Sequence, residues 1–283
     1  MKPILQLALD FVDLSRAIKV AEESVIGGID WLEVGTPLIK SVGVGAIRKI
    51  RDIFPNKTII ADMKTMDAGR IEVEMAFKSG ANIVSVLGTT SDFTILECVE
   101  TAKNYGGKII VDLINISIEN LVKRTKEVEK LGVDYIGIHF SIDEQMSGEI
   151  SFFEKLKEVV ENVSIPVAIA GGINSETIVD AINAGASIIV IGAAITKSID
   201  ATKSTQQIKK ALVSGVKIQT NLSKKIGFSH IRELLNKIST ANLSDAFHRG
   251  GVLDDIYPII TSSKMVGPVL TVRTNSGDWA KPV

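Results

Sequence analysis

GIDWLEV (28–34) opens a pattern that returns three more times along the chain. The later copies are GANIVSVL (80–87), GVDYIGIH (132–139) and GASIIVIG (185–192). In each copy a glycine ends a helix-like stretch. A small or apolar residue and usually Asp or Asn follow, and then a short apolar strand. Glycine suits that point because helices commonly end on a left-handed residue, which other side chains adopt at a cost. The glycines are spaced 52, 52 and 53 residues apart. Four further strand-like runs lie between, at ILQLAL (4–9), TIIAD (58–62), IIVDLI (109–114) and PVAIA (166–170). Most runs are apolar on both parities, as in a parallel sheet covered on both faces. Helical patterns such as SIENLVKRTKEVEKLG (117–132) and SETIVDAINAG (175–185) alternate with them. Four copies of a double βα unit predict a (β/α)8 TIM barrel over residues 1–213. An open doubly wound sheet would explain the alternation but not the equal spacing.

Composition narrows the function classes. Of 283 residues 45% are hydrophobic and 23% charged, which supplies a full core and excludes a disordered chain. Lys and Arg number 32 against 33 Asp and Glu, a net charge of −1. Direct nucleic-acid binding rewards a basic excess that this chain lacks. One cysteine, Cys98, excludes an intramolecular disulfide and a Cys-based zinc site and suits a reducing cytoplasm. Its surroundings, TILECVETA, make it a core residue. The start MKPILQLALDF lacks the pattern of a signal peptide, and SIIVIGAAIT (187–196) is too short to cross a bilayer, so no membrane partner is expected.

The alternation stops near residue 213. SGVKIQTNLSKKIGFS (214–229) reads as a linker, HIRELLNKIS (230–239) as a short amphipathic helix and MVGPVLTVRT (265–274) as one strand. Residues 230–283 hold too few elements for a core of their own and read as the start of a second domain, incomplete in this chain.

In a barrel, chemistry sits at the C-terminal ends of the strands. That rule selects Asp10, Glu33, Asp62, Lys64, Asp67, Asp112, His139, Gly171, Gly172 and Gly192. In ADMKTMDAG (61–69), Asp62 and Lys64 are two apart and so point to the same side of a regular strand. Flanking carboxylates keep the ammonium charged, useful where negative charge develops on a substrate oxygen. The plain alternative is a solvated charge cluster. Counted from the repeat glycines, Glu33 and His139 share a parity and face the same way. Glu33 and Asp62 make an oxygen-only site suited to Mg2+. The alternative for Glu33 is an internal salt bridge to Lys64. His139, the one histidine at a strand end, suits proton transfer near neutral pH, or else is a buried ring bonded to a backbone carbonyl. IAGGIN (169–174) and VIGAAIT (190–196) close the last two strands with turns that can cradle phosphate on backbone N–H groups, although tight turns need glycine too.

LALDF (7–11), WLEVGTPLI (31–39), ADMKTMDAG (61–69), HFSIDEQMSG (139–148), AIAGGIN (168–174) and IGAAITKS (191–198) resemble the 3-hexulose-6-phosphate synthase family. That family belongs to the orotidine-monophosphate-decarboxylase superfamily, marked by the D-x-K-x-x-D pattern of Asp62, Lys64 and Asp67. The resemblance covers about residues 1–210. It implies a reversible aldolase, a carbon–carbon lyase joining formaldehyde to ribulose 5-phosphate through a Mg-stabilised enediolate. It implies Glu33 and Asp62 as ligands of Mg2+, with Mn2+ as the alternative. Lys64 matches the stabilising cation and His139 the acid/base residue. Asp67 matches a residue reaching the neighbouring subunit's site, which implies a homodimer. Asp10 and Asp112 match substrate-side positions, and Gly171, Gly172, Gly192 and Ala193 the phosphate cradle. The related decarboxylases of phosphorylated keto-sugar acids usually carry Arg just after the last-strand glycine, where Ala193 and Ala194 stand. The tail resembles the opening of the family named for a regulator of ribonuclease E activity, which also contains hydroxy-methyl-oxoglutarate aldolases. Such a fusion suggests an archaeal-type protein. A non-catalytic role in RNA turnover through that tail is the competing expectation.

Overall fold

Eight parallel strands close into a barrel in sequence order, with β1 bonded to both β2 and β8. The strands are β1 Ile4–Leu9, β2 Trp31–Val34, β3 Thr58–Thr65, β4 Ile83–Leu87, β5 Lys108–Asp112, β6 Tyr135–His139, β7 Val167–Ala170 and β8 Ile188–Ile191. Around them run α1 Leu14–Gly27, α2 Thr36–Val42, α3 Gly45–Ile53, α4 Gly69–Lys78, α5 Asp92–Tyr105 and α6 Ile118–Lys130. The set continues with α7 Phe152–Glu161, α8 Ile178–Asn183, α9 Ala193–Thr196 and α10 Ala201–Ser214. The computed structural model describes residues 3–139, 152–220, 228–239 and 243. The loop DEQMSG (143–148), His248 and MVGPVLTVRT (265–274) lie outside the described residues.

The chain divides into two compact units, Met1–Ser223 and Lys224–Val283. Within the second, α11 Phe228–Lys237 overlaps the expected helix HIRELLNKIS (230–239). The barrel forms as the repeat predicts.

The four repeat glycines all take positive φ, at 97° for Gly28, 102° for Gly80, 86° for Gly132 and 95° for Gly185. The Asp or Asn two residues later has a job of its own. Asp30 Oδ2 accepts the Leu5 N–H, Asn82 Oδ1 the Ile59 N–H and Asp134 Oδ2 the Ile109 N–H, each at 2.9 Å. Each side chain thus satisfies a backbone donor near the start of the preceding strand, where the ladder has not yet supplied an acceptor. The fourth copy differs: Ser187 bonds through its main chain, donating to Val167 O on the preceding strand and accepting the Ile4 N–H of β1, each at 2.9 Å.

Alternation divides the apolar residues between two cores. Leu5, Leu7, Leu9, Leu32, Val34, Ile59 and Val84 point outward and are sealed under the helices. Cys98 joins them, and burial pushes its thiol up to about 12, as expected of a packing residue. Ile60, Ile83, Ile110, Ala168 and Ile188 point inward, with Ile4, Trp31, Tyr135 and Val190 packed on them. Trp31 and Tyr135 meet edge to face at 5.8 Å. The helix layer closes where α1 touches α10, and Gly27 permits it. A Cβ there would stand 2.5 Å from Thr205 Cβ.

The Asp134 bond yields a stability test. Asp134→Ala leaves the buried Ile109 N–H without its acceptor and should cost about 1–3 kcal/mol. Asp134→Asn, which copies position 82, should recover most of that loss. Urea midpoints at constant m measure both, and equal midpoints for the two variants would refute the acceptor role.

Candidate active site

The inner core stops at Ile60, Ile110, Ala168 and Val190, which floor a cavity of about 820 Å3. Asp10, Glu33, Asp62, Lys64, Asp112 and His139 line its wall, and Gly171, Gly172, Gly192 and Ala193 its rim. Asp67 is not brought in. It is exposed beside α4, and its Oδ1 accepts the Ala68 N–H at 2.7 Å.

Lys64 reaches the cavity by a route that strand parity does not describe. Register breaks between Ala61 and Thr65 on β3, and Lys64 sits at φ 48°. A regular two-residue alternation therefore does not carry Asp62 and Lys64 to one side; a left-handed kink does. Ser85 on β4 holds the kink. Its hydroxyl accepts the Lys64 N–H at 3.0 Å and donates to Asp62 Oδ1 at 2.6 Å. The Lys64 ammonium then lies 3.1 Å from Asp62 Oδ2 and 2.7 Å from Asp112 Oδ2. Thr36 Oγ1 stands 2.7 Å from Asp62 Oδ2. Asp112 Oδ1 accepts the Ile114 N–H at 2.9 Å, and its Oδ2 faces His139 Nδ1 at 3.9 Å, an ion-pair distance too long for a hydrogen bond.

Four carboxylates share this space with one ammonium, and their proton affinities diverge accordingly. Burial works to lower the Lys64 ammonium, but Asp62 and Asp112 outweigh it and hold the group above its ordinary value, firmly charged. Burial works to raise Asp112, yet His139 and Lys64 hold it below the usual carboxylate range. Glu33 has no such relief. Burial and then the Asp62 charge push it well above its ordinary value, against one hydrogen bond from Gln6. Asp10 is raised by the same two causes, burial first. The ion pairs of Lys64 are with Asp62 and Asp112 and not with Glu33, so the salt-bridge reading of Glu33 does not describe the geometry.

Glu33 and Asp62 both present carboxylate oxygens to the cavity, the donor chemistry of a hard divalent cation, with Asp62 also bonded to Lys64, Ser85 and Thr36. Gln6 adds to it. Its Nε2 donates to Glu33 Oε2 at 2.6 Å, while its buried Oε1 has no partner. Among the described residues no group of three or more His, Cys, Asp or Glu is assembled for a metal. Two carboxylates completed by water and substrate oxygens fit Mg2+, which seldom uses a full protein cage.

The rim is built of main chain. Gly171 at φ 104° and Gly172 at φ 63° both take positive φ, so this turn offers main chain rather than side chains to the cavity. A Cβ on Gly192 would meet no atom within 4 Å, so that turn stands open. Gln6 and Ser85 lie outside the strand-end rule because they sit in mid-strand, and Thr36 because it opens α2. The available signal was a polar residue at an inward position of an apolar strand, as in ILQLAL and IVSVL.

Known proteins resemble this chain over the barrel. The family model described as "Orotidine 5'-phosphate decarboxylase / HUMPS family" matches residues 3–208. The 3-hexulose-6-phosphate synthase of Bacillus subtilis is 40% identical over 213 residues, 75% of this chain and 99% of that protein. That of Methylomonas aminofaciens is 40% identical over 203 residues, 72% of this chain and 96% of its own. A crystal structure of 3-hexulose-6-phosphate synthase superposes with a TM-score of 0.69 at 36% identity, covering 75% of this chain and 99% of that one. With a closed eightfold barrel, the D-x-K-x-x-D residues at its third strand and this extent of identity, the chain belongs to the orotidine 5'-phosphate decarboxylase / HUMPS family.

Proposed function

We propose that this chain is an aldolase that joins formaldehyde to ribulose 5-phosphate, giving 3-hexulose 6-phosphate, in a reversible reaction. The observation that carries this reading is the Lys64 ammonium held between Asp62 and Asp112, with His139 near the same Asp112 oxygen. The relatives' names point the same way. Ala193 and Ala194 stand where the keto-gulonate phosphate decarboxylases resemble one another in carrying Arg, which disfavours that activity.

The family is consistent with a divalent metal. Glu33 and Asp62 would hold it, Mg2+ or alternatively Mn2+, and when bound it supplies Lewis acidity where negative charge builds on substrate oxygens. The turns at Gly171–Gly172 and Gly192–Ala193 seat the phosphate on backbone N–H groups. His139 takes the C1 proton of the sugar. The electron pair left on C1 forms the new bond to the formaldehyde carbon, and the aldehyde oxygen gains a proton. Lys64 faces the sugar oxygen that becomes negative. Its charge is locked on by two carboxylates, so it acts as a cation rather than as a Schiff-base nucleophile. Asp112 positions both Lys64 and His139, and Asp10 lines the sugar's approach.

The barrel of residues 1–213 carries the chemistry in this reading, followed by a linker (214–229) and a second-domain segment from 230 that is given no activity. A homodimer suits the surface beside Asp67. There α4 exposes Ile71 and Met75, one turn apart, α5 exposes Phe93 and Leu96, and Met66 stands next to them. No helix among the described residues is long and apolar enough to cross a membrane, and a cytoplasmic place is the reading we carry.

Two experiments test the chemistry. Glu33→Gln should weaken activity by at least the ~10–100-fold typical of disturbing a metal's surroundings. The same change should stabilise the metal-free chain at neutral pH. The sign follows from the raised Glu33 carboxyl: ionising it costs stability above the ordinary carboxylate range, and that cost fades as pH falls below it. Thermal melting in chelator across pH checks this, and a variant less stable at neutral pH would sink the account.

His139→Asn should slow deuterium wash-in at C1 of ribulose 5-phosphate by about 10²–10⁴-fold while leaving sugar binding close to normal. NMR exchange without formaldehyde, beside a binding titration, reads both. Wild-type exchange in the variant would move the base elsewhere.

A further inference from the structure

The chain does not leave the barrel freely after α10. Residues 216–220 turn back along the loop between β7 and α8, the loop that begins with Gly171 and Gly172. The Ile218 N–H donates to Ser175 O at 3.0 Å, and Ser175 Oγ donates back to Ile218 O at 2.7 Å. The Thr220 N–H donates to Glu176 Oε1 at 2.8 Å. On either side, Gln207 Nε2 of α10 donates to Gln219 O at 3.0 Å, and Lys217 pairs with Asp180 of α8 at 2.8 Å. Ile218 is half-buried against the outer core, and Ser175 is 2% exposed.

Two glycines at positive φ make a turn that has no side chains to fix it. Ordering glycine costs more conformational entropy than ordering any other residue. The shape of the turn must therefore come from what lies behind it. Asn174 lines the cavity, and its Oδ1 accepts the Glu176 N–H at 2.8 Å and the Thr177 N–H at 3.2 Å. Its neighbours Ser175 and Glu176 are the two residues that residues 218 and 220 grip.

We infer that residues 216–220 are a strap that holds the β7 turn in its anion-binding shape, with Ser175 and Ile218 as positioning residues for a phosphate monoester. The first residues on the way to the C-terminal unit thereby belong to the substrate site. The inference rests on the placement of phosphate at Gly171 and Gly172 proposed above.

The test uses the full chain with ribulose 5-phosphate as substrate and inorganic phosphate as competitor. Ile218→Pro removes the N–H that Ser175 O accepts. It should raise KM for the sugar and Ki for phosphate together by about tenfold, equivalent to 1.4 kcal/mol, with kcat within about twofold. Ile218→Val keeps the N–H and should match the unaltered chain. Ser175→Ala removes one hydroxyl, folds more safely, and should shift KM and Ki in the same direction by about threefold. Unchanged KM and Ki in folded Ile218→Pro, or in Ser175→Ala should the proline variant not fold, would overturn the strap. A fall in kcat at constant Ki would overturn it too. If phosphate fails to compete in the unaltered chain, the placement of phosphate itself is wrong, a result distinct from normal competition that the variants leave untouched.

Discussion

One ammonium bridging two strands organises the mouth of this barrel. Lys64 joins Asp62 of its own strand to Asp112 two strands away, and Asp112 in turn faces His139. A charge pair at about 4 Å with an effective dielectric near 20 attracts by about 4 kcal/mol, while burying each ion costs several. The net gain in stability is therefore small, and the value of the arrangement lies in placement. Lys64 is tied to both carboxylates, Asp112 also accepts the Ile114 N–H, and Asp62 is fixed through both its oxygens, by Ser85 and by Thr36. The kinked end of β3, the Ser85 hydroxyl and the left-handed Lys64 backbone are the local costs of that placement.

Much of this was legible in the sequence because it is periodic. A spacing of 52 or 53 residues survives any uncertainty in single elements, so the number of strands and their order could be read directly. Glu33 and His139 were found because both lie on regular strands, where counting from the repeat glycine fixes the face. Lys64 was placed correctly for a reason that does not hold, since its strand is kinked at that point. Ser85 and Gln6 were missed because they sit in mid-strand, away from the strand ends. The repeat's Asp and Asn were noticed, but their bonds to the preceding strand join residues 25 or 23 apart in sequence and become visible only in three dimensions. Asp67 lies outside the cavity of its own chain.

Stabilising and reactive parts occupy different ends of the same strands. Toward the N-terminal ends, aromatic and branched side chains fill the interior and three of the four repeats satisfy a backbone donor of the strand before them. Toward the C-terminal ends, like charges crowd together, Glu33 is held above its ordinary proton affinity, and Lys64 and Ala68 both adopt positive φ. Strain and repulsion of this kind persist only where a rigid surround enforces them. The uniform outer core of Leu, Ile and Val is that surround.

Among the described residues the packed floor closes the cavity toward the N-terminal ends of the strands. Below Ile60, Ile110, Ala168 and Val190 the interior is filled by Ile4, Trp31, Ile83, Tyr135 and Ile188, so nothing passes through the barrel axis. A sugar held with its phosphate at the rim, as proposed, would narrow the way in for the small aldehyde.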